Sequence, residues 1–271
     1  MKYLFSHWQY LRKRFAGKYI MLFLDYDGTL TPIVSTPDKA TMPEENKRLL
    51  RKLLATKICK IAVISGRSLR DVKGKVALEN IIYSGNHGLQ IEGPKIKFQA
   101  PLSKKYRAAL KQIKLDLQNE ISGIKGAFVE DKGPTLSVHY RLVNKRDLPR
   151  VKTAFRKTVI VRRVKDEIKV KEGKKVFEIR PPADWNKGNA VAYLLARQKF
   201  ISKGAAVSPV YIGDDVTDED AFRALGGKGL TIFVGKPKKS SAQYYLKNAK
   251  EVSKFLKELL MFEEKNRICR N

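Results

Sequence analysis

The sequence predicts an α/β protein whose core is a doubly wound, mainly parallel, Rossmann-like sheet interrupted by one α+β insertion. Three observations support this class. Short continuous apolar runs alternate with amphipathic helical segments, as in sheets whose strands are buried on both faces. A central stretch instead alternates apolar and polar residues, which is typical of a sheet with one solvated face. The first pattern then returns for the rest of the chain.

The first part of the core follows a basic, aromatic lead-in, residues 1–18, which is predicted to be a helix packed through its aromatic side chains. Continuous apolar runs indicate buried strands, and leucines at helical spacing indicate a helix that buries one face. A proline followed by two glutamates suits the first turn of that helix. Strands are predicted at 19–24, 60–64 and 80–83, and helices at 43–57 and 68–74.

The insertion covers residues 101–182, so the core consists of residues 19–100 and 183–271. Alternating segments in the insertion predict antiparallel strands backed by two helices. The helices are expected at 103–122 and 146–157, and the strands at 127–130, 135–141, 159–164, 168–170 and 175–180. The core pattern resumes with helices at 187–199, 217–225 and 249–260 and strands at 207–212 and 230–234.

Charge and cysteine content limit the classes of partner. Lys and Arg number 56 against 27 Asp and Glu, a formal net charge of +29, which attracts anionic ligands. The basic residues are spread along the whole chain, which indicates a solvated lysine-rich surface and no dedicated nucleic-acid partner. Two distant cysteines form no disulfide framework and suit a reducing cytoplasm. No apolar run approaches the ~20 residues that span a bilayer, so no membrane partner is expected.

Polar side chains follow three of the predicted buried strands. Asp25 and Asp27 come after the first strand, Ser65 after the second, and Asp214, Asp215 and Asp218 after the strand at 207–212. Because ligands bind at the carboxyl ends of parallel strands, we expect these groups to converge on one crevice. Lys187 opens the helix after the insertion and can reach the same place.

The convergent groups suit a divalent cation beside a phosphate ester. Carboxylate oxygens are hard ligands, and open positions for water favour Mg²⁺. Asp25 and Asp27 flank one residue of a loop and can address different parts of one substrate, while Gly28 lets the backbone turn close to a phosphate. An anionic nucleophile attacking an anionic ester needs its charge neutralised, and the cation and Lys187 supply this.

Four motifs, in chain order, resemble those of the haloacid dehalogenase-like phosphatases. They are Asp25-Tyr-Asp-Gly-Thr-Leu-Thr31, Ile64-Ser-Gly-Arg67, Lys187 and Gly213-Asp-Asp-Val-Thr-Asp-Glu-Asp220. The insertion lies between the second and third motifs, where that superfamily carries its larger α+β cap. Residues 20–260 further resemble the trehalose-6-phosphate phosphatases, through Tyr26, Ser84-Gly-Asn-His-Gly-Leu89, Ser137-Val-His-Tyr-Arg141, Phe177-Glu-Ile-Arg-Pro181 and Asn186-Lys-Gly188.

This resemblance implies a role for each core residue. Asp25 attacks phosphorus and forms an aspartyl phosphate, while Asp27 protonates the departing sugar oxygen and then deprotonates the attacking water. Mg²⁺ is held by the Asp25 carboxylate, the Asp27 backbone carbonyl and Asp214, with Asp215 and Asp218 supporting them. Ser65 and Lys187 hold the phosphate. Further substrate contacts are implied for Gly28, Thr29, Gly66, Arg67, Asn86 and His87.

The cap is implied to recognise the sugar of a phosphosugar substrate, trehalose 6-phosphate, and the protein to work beside a trehalose-phosphate synthase. The expected sugar contacts are Glu130, Lys132, Ser137, His139, Arg141 and Glu178. Ser137, His139 and Arg141 alternate along one predicted strand, so their side chains are expected to share a face.

Alternative interpretations stay open. The same core would serve another phosphosugar, such as sucrose phosphate, a mannosyl phosphate or a phosphosugar acid, because the cap decides the sugar. A basic polyanion-binding protein with a vestigial phosphatase site would instead show salt-sensitive binding and no turnover. In a simpler interpretation, Ser65 and Asp218 only cap helices, and His87 and His139 are only packed polar residues.

Overall fold

The computed structural model describes residues 1–34, 36–56, 59–161, 168–173, 175–201 and 206–268. The chain divides into two compact units. Unit 1 comprises Met1–Gln99 and Trp185–Asn271, and unit 2 comprises Ala100–Asp184. The chain therefore leaves unit 1 after Gln99 and re-enters it at Trp185.

Unit 1 is built on a nine-stranded sheet. In sheet order its strands are β1 (Lys2–Tyr3), β13 (Tyr244–Leu246), β12 (Leu230–Val234), β11 (Val207–Gly213), β2 (Tyr19–Leu24), β3 (Cys59–Ile64), β4 (Ile82–Gly85), β5 (Gln90–Gly93) and β6 (Ile96–Gln99). In this sheet order, each strand from β1 through β4 pairs in parallel with the next, while β5 pairs antiparallel with both β4 and β6. The predicted mainly parallel α/β class is confirmed.

Helices cover both faces of this sheet, which makes it doubly wound. The helices on one face are α1 (Trp8–Leu11), α2 (Glu44–Ala55), α3 (Leu69–Val76) and α8 (Ala249–Ile268). Those on the other are α6 (Lys187–Ile201) and α7 (Glu219–Leu225). Because the inner strands are buried on both faces, their sequences are continuous apolar runs. None of the helices in the described ranges is long and apolar enough to cross a bilayer.

Three neighbouring strands bring the polar motifs to one edge of the sheet. Leu24 of β2 pairs with Val63 of β3 on one side and with Ile212 of β11 on the other. The residues that follow these strands therefore emerge side by side. The chain also reverses its direction across the sheet at β2, and such a switch point is where open α/β sheets place their ligands.

Unit 2 is a four-stranded antiparallel sheet with helices on one face. In sheet order its strands are β7 (Phe128–Asp131), β8 (Leu136–His139), β10 (Val176–Arg180) and β9 (Lys169–Gly173). The helices are α4 (Lys104–Ile121) and α5 (Leu148–Val161). Ile113, Phe155 and Ile179 belong to the core between the helices and the sheet. Every second strand residue points away from that core and forms what we call the open face.

The strand predicted at 159–164 is wrong over the residues that the structure describes. Residues 159–161 continue α5, and 162–164 lie outside the described ranges. Three valines and isoleucines in a row favour a strand by propensity. The helix prevails because Val151, Phe155 and Thr158 recur at helical spacing and are all buried, and packing overrides a weak propensity.

The lead-in, residues 1–18, is not one helix as predicted. It starts as β1, which pairs with β13, and then forms 3₁₀ turns on either side of the short α1. Leu4, Trp8, Leu11 and Phe15 are buried against the core. Trp8 and Phe15 therefore pack as predicted, whereas Tyr10 is 70% exposed. The hairpin of β5 and β6 and the strand β13 were not predicted, because segments of four and three residues are too short to show a periodicity.

Candidate active site

Asp25 lies directly after β2 in a buried ion-pair network. Its Oδ1 is 2.9 Å from Nζ of Lys187, and the same ammonium is 2.7 Å from Oδ1 of Asp218. The Lys187 side chain is 2% exposed and that of Asp218 is not exposed at all. Burial of unpaired charge is costly, so a single cation shared by two carboxylates holds all three side chains in place.

The start of α6 aims Lys187 at this site. Asn186 caps the helix, because its Oδ1 accepts from the backbone N–H of Asn189 at 3.0 Å, and Oδ1 of Asn189 accepts from the N–H of Asn186 at 3.1 Å. A Cβ at Gly188 would collide with the backbone oxygen of Asp220. The glycine thus allows α6 to approach the region that carries Asp218 closely.

The site holds more negative charge than Lys187 can balance. Burial raises the pKa of Asp25 well above its usual value; Lys187 opposes that shift, and Asp218 and Asp214 add to it. The pKa of Asp214 is raised to about 7, first by burial and then by Asp218. Burial alone would lower the pKa of Lys187, but the two carboxylates outweigh it and the pKa is raised. Lys187 is therefore an ammonium at neutral pH.

The donor set fits a hard divalent cation. Asp25, Asp214 and Asp218 each offer a carboxylate oxygen, and these oxygens lie within 4.8 Å of one another. Oδ1 of Asp214 is buried and has no hydrogen-bond partner among the described residues, as is also true of the Thr29 hydroxyl. Gly28, at φ 77°, lies so close to the Asp214 carboxylate that a Cβ would collide with it. A cation bound there would use the free oxygen and offset the excess charge.

Asp218 is the most firmly held carboxylate of the site. It accepts from the Tyr211 hydroxyl at 2.7 Å and from the backbone N–H of Asp215 at 2.9 Å, besides Lys187. Asp215 itself is exposed and caps the turn that leads to α7. Sequence reasoning missed Tyr211, although a tyrosine inside a buried strand is a signal, because its hydroxyl needs a polar partner there.

Ser65 and Arg67 follow β3, the strand next to β2, and border the site on that side. Ser65 is buried, and its Oγ accepts from the backbone N–H of Arg67 at 3.1 Å. The residue that caps α3 is Ser68, because its side chain accepts from the N–H of Asp71. Ser65 therefore does not serve as that helix cap.

Arg67 donates two hydrogen bonds to the carboxylate of Asp27. Nε lies 2.7 Å from Oδ2 of Asp27 and Nη2 lies 2.7 Å from its Oδ1. The guanidinium also donates to Asp71 at 2.6 Å and to the Pro37 carbonyl at 2.7 Å. Burial would lower the pKa of Arg67, but Asp27 and then Asp71 raise it. The Asp27 carboxylate, which is half exposed, is thereby fixed at the rim.

The turn at Asn86 and His87 holds the loop that contains Ser65. The backbone N–H of Asn86 donates to the carbonyl of Arg67 at 2.7 Å, and that of His87 donates to the carbonyl of Ser65 at 2.9 Å. The His87 ring lies over Gly66, where a Cβ would come within 2.5 Å of Cε1. Both turn residues have positive φ, 52° and 56°, which places this strained turn beside the site.

The predicted sugar-binding residues of unit 2 lie mostly on its open face. Strand register places Glu130, Ser137 and Glu178 side by side across β7, β8 and β10. Nζ of Lys132 is 3.8 Å from Oε2 of Glu130 and 3.7 Å from Oε1 of Glu178. These are long contacts, and of the two carboxylates Glu130 is partly exposed and Glu178 is nearly buried.

His139 and Arg141 do not share one strand as predicted. His139 ends β8, and its Nε2 is 2.7 Å from Oε2 of Glu130, while its ring stacks on that of Phe128 at 4.6 Å between centroids. Arg141 lies beyond the strand, in an exposed turn. Arg180, not singled out from the sequence, donates from Nε to Oε2 of Glu178 at 2.7 Å.

The family model described as trehalose-phosphatase matches residues 23–251. The chain belongs to the trehalose-phosphatase family. It is 37% identical over 263 residues to trehalose-phosphate phosphatase B of Arabidopsis thaliana, a match that covers 92% of this chain and 68% of the relative. Trehalose 6-phosphate phosphatase RA3 of Zea mays is 37% identical over 261 residues, 90% of this chain and 70% of the relative.

Solved structures agree with this membership. The C-terminal domain of the C. albicans trehalose-6-phosphate phosphatase is 22% identical and has a similar fold, with a TM-score of 0.78 over 96% of this chain and 98% of that one. The Aspergillus fumigatus trehalose-6-phosphate phosphatase is 28% identical, with a TM-score of 0.61 over 93% of this chain and 96% of that one. The family and the relatives named trehalose-phosphate phosphatases confirm the predicted class of enzyme, a phosphoric monoester hydrolase.

Proposed function

We propose that the protein hydrolyses trehalose 6-phosphate to trehalose and inorganic phosphate through an aspartyl phosphate on Asp25. The observation that carries the proposal is the buried pair of Asp25 and Lys187 beside the unpartnered oxygen of Asp214. The names of the relatives, trehalose-phosphate phosphatases, support the choice of sugar.

The same carboxylates are proposed to hold Mg²⁺. Its ligands would be the carboxylates of Asp25 and Asp214 and the backbone carbonyl of Asp27. When bound, the ion neutralises charge on the nucleophile and the phosphate, which otherwise repel each other. Asp218 belongs to the same group of oxygens but is already bonded to Lys187 and Tyr211, so we assign it to positioning the lysine.

In the first half-reaction Asp25 attacks phosphorus. A lone pair of its carboxylate forms the new P–O bond, the bond from phosphorus to the sugar oxygen breaks, and the electron pair stays on that oxygen. Asp27 delivers the proton that makes the oxygen a hydroxyl. Lys187 and Ser65 hold the phosphoryl oxygens, so most of the catalysis is positioning and charge stabilisation.

In the second half-reaction water attacks the aspartyl phosphate. Asp27 takes a proton from the water, the bond between Asp25 and phosphorus breaks, and inorganic phosphate is released. Both oxygens of Asp27 face Arg67 in the structure. We therefore propose that this carboxyl turns away from the guanidinium during the cycle, while Asp71 and Pro37 keep Arg67 in place.

Unit 2 is proposed to act as the cap that recognises the disaccharide. Its open face combines the carboxylates of Glu130 and Glu178 with Lys132 between them. Such paired donors and acceptors match the hydroxyls of glucose units, which both donate and accept hydrogen bonds. A cytoplasmic location and cooperation with a trehalose-phosphate synthase belong to the same proposal.

A panel of phosphate esters tests the function. The protein with MgCl2 is assayed on trehalose 6-phosphate, sucrose 6-phosphate, glucose 6-phosphate, a mannosyl phosphoglycerate and 4-nitrophenyl phosphate. We expect kcat/KM for trehalose 6-phosphate to exceed the others by at least about tenfold, since each lost hydrogen bond to a buried partner costs about that factor. A preference for another phosphosugar would contradict the substrate, and no turnover of any ester would contradict the proposal as a whole.

A further inference from the structure

Trp185 is the first residue of unit 1 after the insertion, and it makes one short hydrogen bond. Its Nε1 donates to the carbonyl of Gly88 at 2.6 Å. The indole stacks on Phe98 with 4.7 Å between ring centroids, and Tyr193 of α6 lies 4.7 Å from the same phenyl ring. The hydrogen bond is thus made inside a cluster of three aromatic rings, which fixes the orientation of the indole.

Gly88 packs closely against the start of α6. Its φ is 105°, and a Cβ there would come within 2.9 Å of the carbonyl oxygen of Asn186, 3.0 Å of Cβ of Ala190 and 3.1 Å of Nε1 of Trp185. A residue other than glycine would push the turn away from the helix. Because α6 begins at Lys187, the turn at Gly88 touches the helical turn that carries the lysine.

The residues just before Gly88 are bonded to the loop that contains Ser65. His87 donates from its backbone N–H to the carbonyl of Ser65 at 2.9 Å, and Asn86 donates to that of Arg67 at 2.7 Å. One turn of three residues therefore lies between the two groups proposed to hold the phosphate. Trp185 holds this turn from the side of α6, and the Ser65 loop holds it from the other side.

We infer that Trp185 is a positioning residue for the phosphate site. Its hydrogen bond to Gly88 sets how the Ser65 loop lies against the first turn of α6, and so sets the separation of Ser65 from Lys187. Trp185 itself does not touch the phosphate in this assignment. The inference rests on the proposed phosphate-holding roles of Ser65 and Lys187, and it does not depend on which sugar the enzyme prefers.

The variant W185F tests this inference because it removes the N–H donor and keeps an aromatic ring beside Phe98. We expect the inhibition constants of inorganic phosphate and orthovanadate to rise about three- to tenfold, the range expected for one neutral hydrogen bond. KM for 4-nitrophenyl phosphate should rise by a similar factor, and kcat should change less than twofold, about the scatter of such assays. Retained folding is checked by circular dichroism.

The matched control is W8F. Trp8 also uses Nε1 as a donor, to Oε2 of Glu258 at 3.1 Å, but it lies in the lead-in and not beside the Ser65 loop. W8F should lower Tm and leave both inhibition constants unchanged. The inference is overturned if W185F binds phosphate as the wild type does, or if W8F and W185F weaken phosphate binding equally.

A second measurement covers the case in which W185F does not fold. The chain has two tryptophans, so benzothienylalanine incorporated in the W8F background replaces only Trp185 and exchanges its N–H for sulfur. Weaker phosphate binding than in W8F supports the inference, and equal binding overturns it. Because every comparison is a ratio of variant to control on one aryl phosphate, a failure of the trehalose 6-phosphate assignment would appear separately, in the substrate panel.

Discussion

The charged groups of unit 1 and of unit 2 are paired in two different ways. In unit 1 Lys187 lies 2.7 and 2.9 Å from its two carboxylates, and the group is buried. On the open face of unit 2 Lys132 lies 3.7 and 3.8 Å from its two carboxylates, of which Glu130 is 35% exposed and Glu178 11%. Lys187 is thus held by short contacts and Lys132 by long ones, although the two carboxylates beside Lys132 are themselves held by His139 and Arg180.

This difference has energetic consequences. Removing one partner of a buried pair leaves an uncompensated charge, which typically costs about 3–5 kcal/mol, whereas charges that lie farther apart attract each other less strongly. Short, fixed contacts suit a reaction whose geometry must not vary. Longer contacts suit a surface that exchanges its own ion pairs for ligand hydroxyls. Substitutions in unit 1 should therefore alter the chemical step, and those in unit 2 the choice of substrate.

The largest effect is expected from D25N. It removes the proposed nucleophile, so turnover of every phosphate ester should fall on the order of 10⁴-fold or more. The fold should persist, because Lys187 keeps Asp218 as a partner and the change reduces the excess of negative charge at the site. Steady-state kinetics and circular dichroism measure both. D220N is the control, because Asp220 pairs with exposed Arg223 and the activity of this variant should stay near that of the wild type. Substantial activity of D25N would exclude Asp25 as the nucleophile.

The next effect is expected from D27N, and it should depend on the leaving group. A sugar oxygen needs a proton to depart and a 4-nitrophenolate does not. We expect kcat/KM for trehalose 6-phosphate to fall about 10²- to 10⁴-fold, and that for 4-nitrophenyl phosphate to fall far less. The ratio kcat/KM is the right measure because it reports the transfer to Asp25 alone. Equal losses on both esters would show that Asp27 is not the general acid.

A smaller and more selective effect is expected from E178A in unit 2. Glu178 contacts Lys132 and Arg180 on the open face, so its loss should lower kcat/KM for trehalose 6-phosphate about tenfold, as for a charged hydrogen bond. Hydrolysis of 4-nitrophenyl phosphate should be unchanged. E120A is the matched control, since Glu120 pairs with Lys157 on the helical side of unit 2, opposite the open face. Equal losses on both esters would place Glu178 outside sugar recognition.

The smallest expected effect is a change in the stability of the protein with pH and Mg²⁺, and it should arise in unit 1 alone. The pKa of Asp214 is raised to about 7 from 3.8, so between these values the folded chain keeps a proton that the unfolded chain releases. The free energy of unfolding of the metal-free protein should therefore fall as pH rises from about 4 to 7. Mg²⁺ should raise Tm by a few degrees at pH 8 and by much less at pH 5. Calorimetry with and without EDTA measures this, and a Tm increase that is equal at both pH values would argue against a metal at Asp214.

Much of the core could be predicted from the sequence because its signals are local. Buried parallel strands produce continuous apolar runs, and the polar residues that end them emerge at one edge of the sheet. Asp25, Ser65 and Asp214 could thus be grouped from their positions after such runs. The helix at 159–161 could not be predicted, because β-branched residues favour a strand locally and only the buried face formed with Val151 and Phe155 favours the helix.

The sequence by itself determined the α/β class, the order of the motifs and which carboxylates and lysine belong together. Only the tertiary structure decided how these groups are held: Tyr211 and Lys187 on Asp218, Arg67 on Asp27, and Trp185 on the turn at Gly88 that is bonded to the Ser65 loop. These contacts join residues far apart in the chain. Hydrogen bonds and burial depend on the approach of side chains from different elements, which no local pattern of residues encodes.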